Sequence, residues 1–118
     1  MSNKLTSQEI IDLNKEYTFF SWSNQGQVNP IPMVKAEGAY FWDADGKKYL
    51  DFASQLVNTN VGHQHPKVVK AIQEQAAKLT FAAPSMATDV RGLLGKKLSE
   101  ITPGDLKKTF FTLGRAEA

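Results

Sequence analysis

Cysteine is absent from the 118 residues. That excludes disulfides, thiolate zinc sites and cysteine nucleophiles, and it fits a reducing compartment. A strong charge of one sign is absent too: 14 Lys+Arg against 12 Asp+Glu leave a formal charge of +2. Nucleic-acid binders carry a larger or more clustered basic excess. Here the Lys pairs at 47–48, 96–97 and 107–108 are scattered with acids nearby, the pattern of a solvated surface. The aromatics lie mostly away from those pairs, so no basic stripe with interleaved aromatics forms. No apolar run reaches the roughly 20 residues of a membrane span. The opening MSNKLTSQEI lacks the apolar stretch of a secretory signal. The expectation is a cytoplasmic protein without nucleic-acid or membrane partners. Neither an internal repeat nor a low-complexity tract is present.

What is present reads as one globular domain of ordinary size. Hydrophobic residues make up 42% and charged residues 22%, close to average usage. A chain of this length can bury roughly 60–70% of its unfolded surface, enough for a core, although as a separate polypeptide it is expected to expose apolar surface. Thr6-Ser7-Gln8-Glu9 matches a capping box. Ile10, Leu13 and Tyr17 follow at helical spacing, which predicts a helix over 7–16. Between 18 and 32 come Phe19, Phe20 and Trp22, a polar stretch, then Pro30 and Pro32. The prolines forbid a regular helix. Such an aromatic segment is a core plug, a pocket wall or a subunit contact, and burial preferences favour the plug.

Residues 33–53 read as an antiparallel meander with strands Met33–Glu37, Ala39–Trp42 and Lys48–Asp51. Asp43-Ala44-Asp45-Gly46 is a type I turn signature joining the last two. Residues 54–63 are polar and read as loop. Pro66 opens a helix over 66–79 with Val69, Ile72, Ala76 and Leu79 on one stripe. A second helix is expected from Ala87 to Ile101, ended by Pro103-Gly104. Lys108–Leu113, KTFFTL, reads as a buried strand. The organisation is therefore 1–32, an N-terminal helix and aromatic segment; 33–53, the meander; and 54–118, a loop, two helices and an opening strand. That last strand resembles the start of an α/β domain cut short, so the chain is expected to be a fragment.

Individual motifs carry little chemistry. His63 and His65, two apart, project to opposite faces of an extended segment and make a poor chelate. Gly95-Lys96 lacks the strand and the hydroxyl residue of a phosphate-binding loop. Asp43, Asp45 and Asp51 surround one hairpin, and turn chemistry accounts for the first two. The turn after KTFFTL offers backbone N–H groups of the kind that hold phosphates at helix N-termini.

Three stretches in register, GAYFWDADGKKYLDFASQ, NVGHQHPKVVKAIQEQ and ITPGDLKKTFFTLGRAEA, resemble the N-terminal region of class-III aminotransferases. The preceding FFSWSNQ resembles the ω-amino-acid:pyruvate branch. The resemblance implies a fold type I, α/β pyridoxal-phosphate (PLP) enzyme, of which these residues form an α+β part. It implies PLP as cofactor, an amino donor and a keto acid as substrates, and a homo-oligomer. Phe20, Trp22, Leu56 and Val57 match positions that wall the family's substrate pocket, some across a dimer interface. Gly114, Arg115 and Ala116 match its phosphate-holding turn. Arg115 departs from the family's Gly, where a Cβ obstructs close backbone approach. None of the twelve lysines matches the Schiff-base lysine, so this chain alone is expected to be inactive. The competing expectation is a truncated, non-catalytic binding or assembly module.

Overall fold

The structure is a computed structural model and describes residues 4–114. The chain divides into two compact units, Met1–Gln73 and Glu74–Ala118.

The first unit begins with α1 (Ser7–Tyr17), one residue longer than the periodicity predicts. Its capping box is formed: Thr6 Oγ1 accepts from the Glu9 amide at 3.2 Å, and the Thr6 amide donates to Glu9 Oε2 at 2.8 Å. Two of the helix's orphan donors are thereby satisfied. A three-stranded antiparallel sheet follows, in the order β1 (Met33–Glu37), β2 (Tyr40–Asp43), β3 (Lys48–Leu50). The strands fall where the β-branched and aromatic residues predict them, with β2 shifted by one residue. Ala36 pairs with Phe41 and Phe41 with Tyr49, so all three share one face. The Phe41 and Tyr49 rings stack at 4.9 Å. On the opposite face Lys35 Nζ lies 4.6 Å from the Trp42 ring, and Lys48 Nζ 3.7 Å from the Tyr40 ring.

Asp43 is the one residue among those described that is buried as a whole, backbone included, at 7% exposure. It closes the β2–β3 turn from inside. Its Oδ1 accepts from the Asp45 and Lys47 amides at 3.1 and 2.8 Å, and its Oδ2 from the Tyr49 hydroxyl at 2.8 Å.

The loop expected over 54–63 contains a helical turn, α2 (Ser54–Val57). It is left-handed, with φ of 47°, 46°, 59° and 61° at its four residues. Helix α3 spans Pro66–Lys78.

In the second unit α4 spans Asp89–Ile101 behind Thr88, two residues later than predicted. Lys78 pairs with Asp89, and the Arg91 guanidinium donates to the Pro84 and Met86 carbonyls. These bonds hold the segment between α3 and α4, and Arg91 ties the residues before Asp89 into non-helical turns. The expected buried strand at Lys108–Leu113 is not formed: the segment has no strand pairing, and Leu113 is fully exposed at 103%. A strand exists only as half of a ladder, and no strand of the second unit's described residues offers the other half.

The apolar surface is exposed, as expected of a separate polypeptide. Among the described residues no hydrophobic side chain is fully buried. Of the predicted 66–79 stripe Ile72, Ala76 and Leu79 are exposed and Val69 is half-buried; of the apolar residues of α4 Val90, Leu94 and Ile101 are exposed and Leu98 is half-buried. The core-plug reading of the aromatic segment is corrected as well, since Phe19 and Trp22 are 92% and 91% exposed. Periodicity states which face of a helix is apolar; it does not state what covers that face.

Candidate functional site

Four side chains were singled out as pocket walls, and the structure treats them in two groups. Phe20 is half-buried and lines a cavity of about 210 Å³ with Ile10, Asn14, Ile31 and Met33. Its backbone is held by one side chain: the Phe20 amide donates to Gln25 Oε1 at 2.9 Å, and Gln25 Nε2 donates back to the Phe20 carbonyl at 2.7 Å. Trp22 stands at the tip of the loop so closed, with φ of 58°. It is not among that cavity's lining residues, nor are Leu56 and Val57.

Leu56 and Val57 are exposed on the left-handed turn. For L-residues this conformation costs roughly 1–2 kcal/mol per residue, because Cβ approaches the following carbonyl. A β-branched residue such as Val57 is an outlier there. The turn makes helix-like bonds of its own, Val57 N–H to the Ala53 carbonyl at 3.0 Å and Thr59 N–H to the Ser54 carbonyl at 3.0 Å.

Beneath the turn lies an acid–base pair. His63 Nε2 and Asp51 Oδ2 are 2.6 Å apart, and both side chains are almost fully covered, 8% and 5% exposed. Burial pushes the Asp51 carboxyl up. Hydrogen bonds from His63 and from the Gln55 amide outweigh it, and the group sits below the usual carboxylate range. An ionised carboxylate only accepts, so His63 Nε2 carries the hydrogen. Both residues are also anchored through their backbones to the β1–β2 connection. The Asp51 amide donates to the Ala39 carbonyl at 2.9 Å, and Gly38 and His63 exchange two bonds of 3.0 and 2.8 Å. Gly62, at φ 85°, lets the chain pass there; a Cβ on it would meet the Gly38 carbonyl oxygen at 3.4 Å.

Because the folded pKa of Asp51 lies below its unfolded value, the stability it lends is complete above about pH 4. That stability is lost as pH falls through the depressed value. The pair is therefore expected to survive mild acid. Amide exchange at Gln55 followed from pH 7 to 2 checks this: protection should disappear only below the ordinary carboxylate range. Loss at pH 6 would contradict it.

Sequence inspection noted both partners without joining them. Asp51 looked like a hairpin acid and His63 a poor chelate, and a separation of twelve residues gives no local signal of contact. Gln25 was missed altogether; the only hint was its place in a polar run after aromatics. No group of three or more metal-ligating side chains occurs among the described residues, and none of their helices is long and apolar enough to cross a membrane. Gly114 is exposed, with Thr112 Oγ1 donating to its carbonyl at 3.2 Å. Arg115 and Ala116 lie outside the described residues.

The sequence model of the family Aminotransferase class-III matches residues 22–118. A solved taurine:2-oxoglutarate aminotransferase from Bifidobacterium kashiwanohense, in complex with PLP and glutamate, superposes with a TM-score of 0.91 at 42% identity. The match covers 98% of this chain and 26% of that one. An (S)-enantioselective omega-transaminase from Thermomicrobium roseum gives 0.89 at 30% identity, over 98% and 27%. A probable mitochondrial ornithine aminotransferase from Caenorhabditis elegans is 38% identical over 91 residues, 77% of this chain and 21% of that protein. The chain thus spans about a fifth to a quarter of the length of the relatives it matches.

Proposed function

The chain belongs to the class-III aminotransferases, and from that membership we propose that it is part of an enzyme moving an amino group from an ω-amino acid or amine to a keto acid such as pyruvate. The observation that carries the reading is the family match over residues 22–118. The omega-transaminase among the similar structures supports the ω-amino donor. In this reading Phe20, Trp22, Leu56 and Val57 present apolar walls to the donor, some of them across a homodimer interface, in a cytoplasmic enzyme.

The family's cofactor is PLP, which when bound supplies the electron sink of amino transfer. The described residues alone do not form a site for it. Of the positions assigned to its phosphate they include Gly114 alone, exposed and carrying no charge. Their one covered acid–base pair, Asp51–His63, already spends its hydrogen bonds on the turn. No step is therefore assigned to these residues through the cofactor, and the isolated chain is inactive in this reading.

Reading the coding DNA through and beyond codon 118 tests the proposal. The expected frame supplies a Lys and an Asp in the setting of a PLP enzyme. Its product should transfer amino groups from ω-amino acids to pyruvate or 2-oxoglutarate. A stop at that point, or a frame that resumes only after a one-base shift near codon 115, would sink the catalytic reading.

A further inference from the structure

Four consecutive non-glycine residues in a left-handed turn need an outside cause. The bonds inside the turn, from the Val57 and Thr59 amides to the Ala53 and Ser54 carbonyls, do not supply it. A right-handed turn makes bonds of the same kind without placing Cβ against the following carbonyl. Whatever selects the left-handed form must act from beyond residues 54–57.

Two contacts do so. Asp51 Oδ1 accepts from the Gln55 amide at 3.2 Å, which reaches into the turn from its N-terminal side. Asp51 Oδ2 binds His63 Nε2 at 2.6 Å, which ties the residue before the turn to the residue that closes the loop. The same two residues are pinned by backbone bonds to Gly38 and Ala39, neighbours in one β1–β2 connection. Residues 51 and 63 thus form the neck of a loop, and the side-chain pair lies across that neck. Within so short and fixed a span the chain has few routes, and the bond to Gln55 selects among them. Strained backbone persists where its surroundings over-determine it.

We propose that the Asp51–His63 pair is a positioning latch that holds Ser54–Val57 left-handed and thereby sets where Leu56 and Val57 stand. That Leu56 and Val57 wall a substrate pocket rests on the proposed function; the latch rests on the geometry alone. Asp51 and His63 are positioning residues in this account, and neither touches substrate.

The test reads the turn directly in the 118-residue chain by NMR. Positive φ gives a strong intraresidue amide–Hα NOE, and residues 54–57 should all show it. His63→Phe keeps the ring's bulk and the backbone bonds to Gly38 but removes the nitrogen. It should abolish those NOEs and raise amide exchange at Gln55 at least tenfold, with the β1–β2 amides unchanged. Asp51→Asn retains an acceptor for Gln55 and can donate to a His63 nitrogen, so it should keep the turn in most molecules. Adding Val57→Gly to His63→Phe removes the Cβ penalty at that residue and should restore part of the left-handed population. Should His63→Phe fail to fold, Asp51→Ala read against Asp51→Asn gives the same comparison. The latch is overturned if the NOEs survive His63→Phe, or if the turn and the sheet are lost together in every variant. Either result leaves the pocket-wall reading untouched, because it concerns handedness and not substrate.

Discussion

Asp43→Ala is expected to remove amide protection from β2 and β3 together. The carboxylate satisfies two turn amides and the Tyr49 hydroxyl from a buried residue. Removing it takes the charged acceptor from all three donors at once, and hydrogen bonds to a charged group are worth more than neutral ones. Ordinarily an apolar core would absorb such a loss. Here no hydrophobic residue of the described chain is fully buried, and three-stranded sheets are marginal without a packed face. Exchange of the Tyr40–Asp43 and Lys48–Leu50 amides should therefore approach the unfolded rate. Helix α1, closed by its own capping box, should keep whatever protection it has.

Two companions make the result specific. Asp45→Ala removes a neighbouring carboxylate that holds no turn donor, and should change little. Asp43→Asn keeps an acceptor for the amides and should retain most of the sheet. In that variant the Tyr49 phenol, which its hydrogen bond to Asp43 pushes up, should titrate back toward about 10. Equal protection in Asp43→Ala and Asp45→Ala would show that the turn does not depend on the carboxylate.

The second large effect concerns catalysis. The 118-residue chain with added PLP is expected to transfer amino groups no more than about tenfold faster than free PLP. Enzymes accelerate their reactions by typically a million-fold or more. A lysine that forms a Schiff base is activated by desolvation or by a neighbouring cation. All twelve lysines here are exposed, and in the proposed reading none is the Schiff-base lysine. Any imine band formed with PLP should therefore persist through each single lysine substitution, since it reports scattered surface amines. A rate thousands of times that of free PLP, lost on one lysine change, would overturn the prediction.

Some elements were legible because their causes are local. Thr6 and Glu9 lie three apart and cap each other whatever else the chain does. The β2–β3 turn was legible from Asp43 and Gly46, and β1 was placed to the residue because Met33–Glu37 runs between Pro32 and Gly38. The failures share one feature, dependence on a partner distant in sequence. KTFFTL has every propensity for a strand, yet propensity supplies one edge of a ladder and not the other. The helical stripes were read correctly as apolar, and periodicity does not say what covers them.

The chain's own sequence determined its family, its three long helices, its meander and the absence of cysteine chemistry. Local spacing, capping and turn residues settle these, and three family stretches stand in register. Tertiary structure alone decided the handedness of Ser54–Val57 and the closing of Asp51 on His63. Each depends on where the chain returns in space. A left-handed turn of Ser, Gln, Leu and Val opposes the preference of every residue in it, so only contacts made from outside the turn select it.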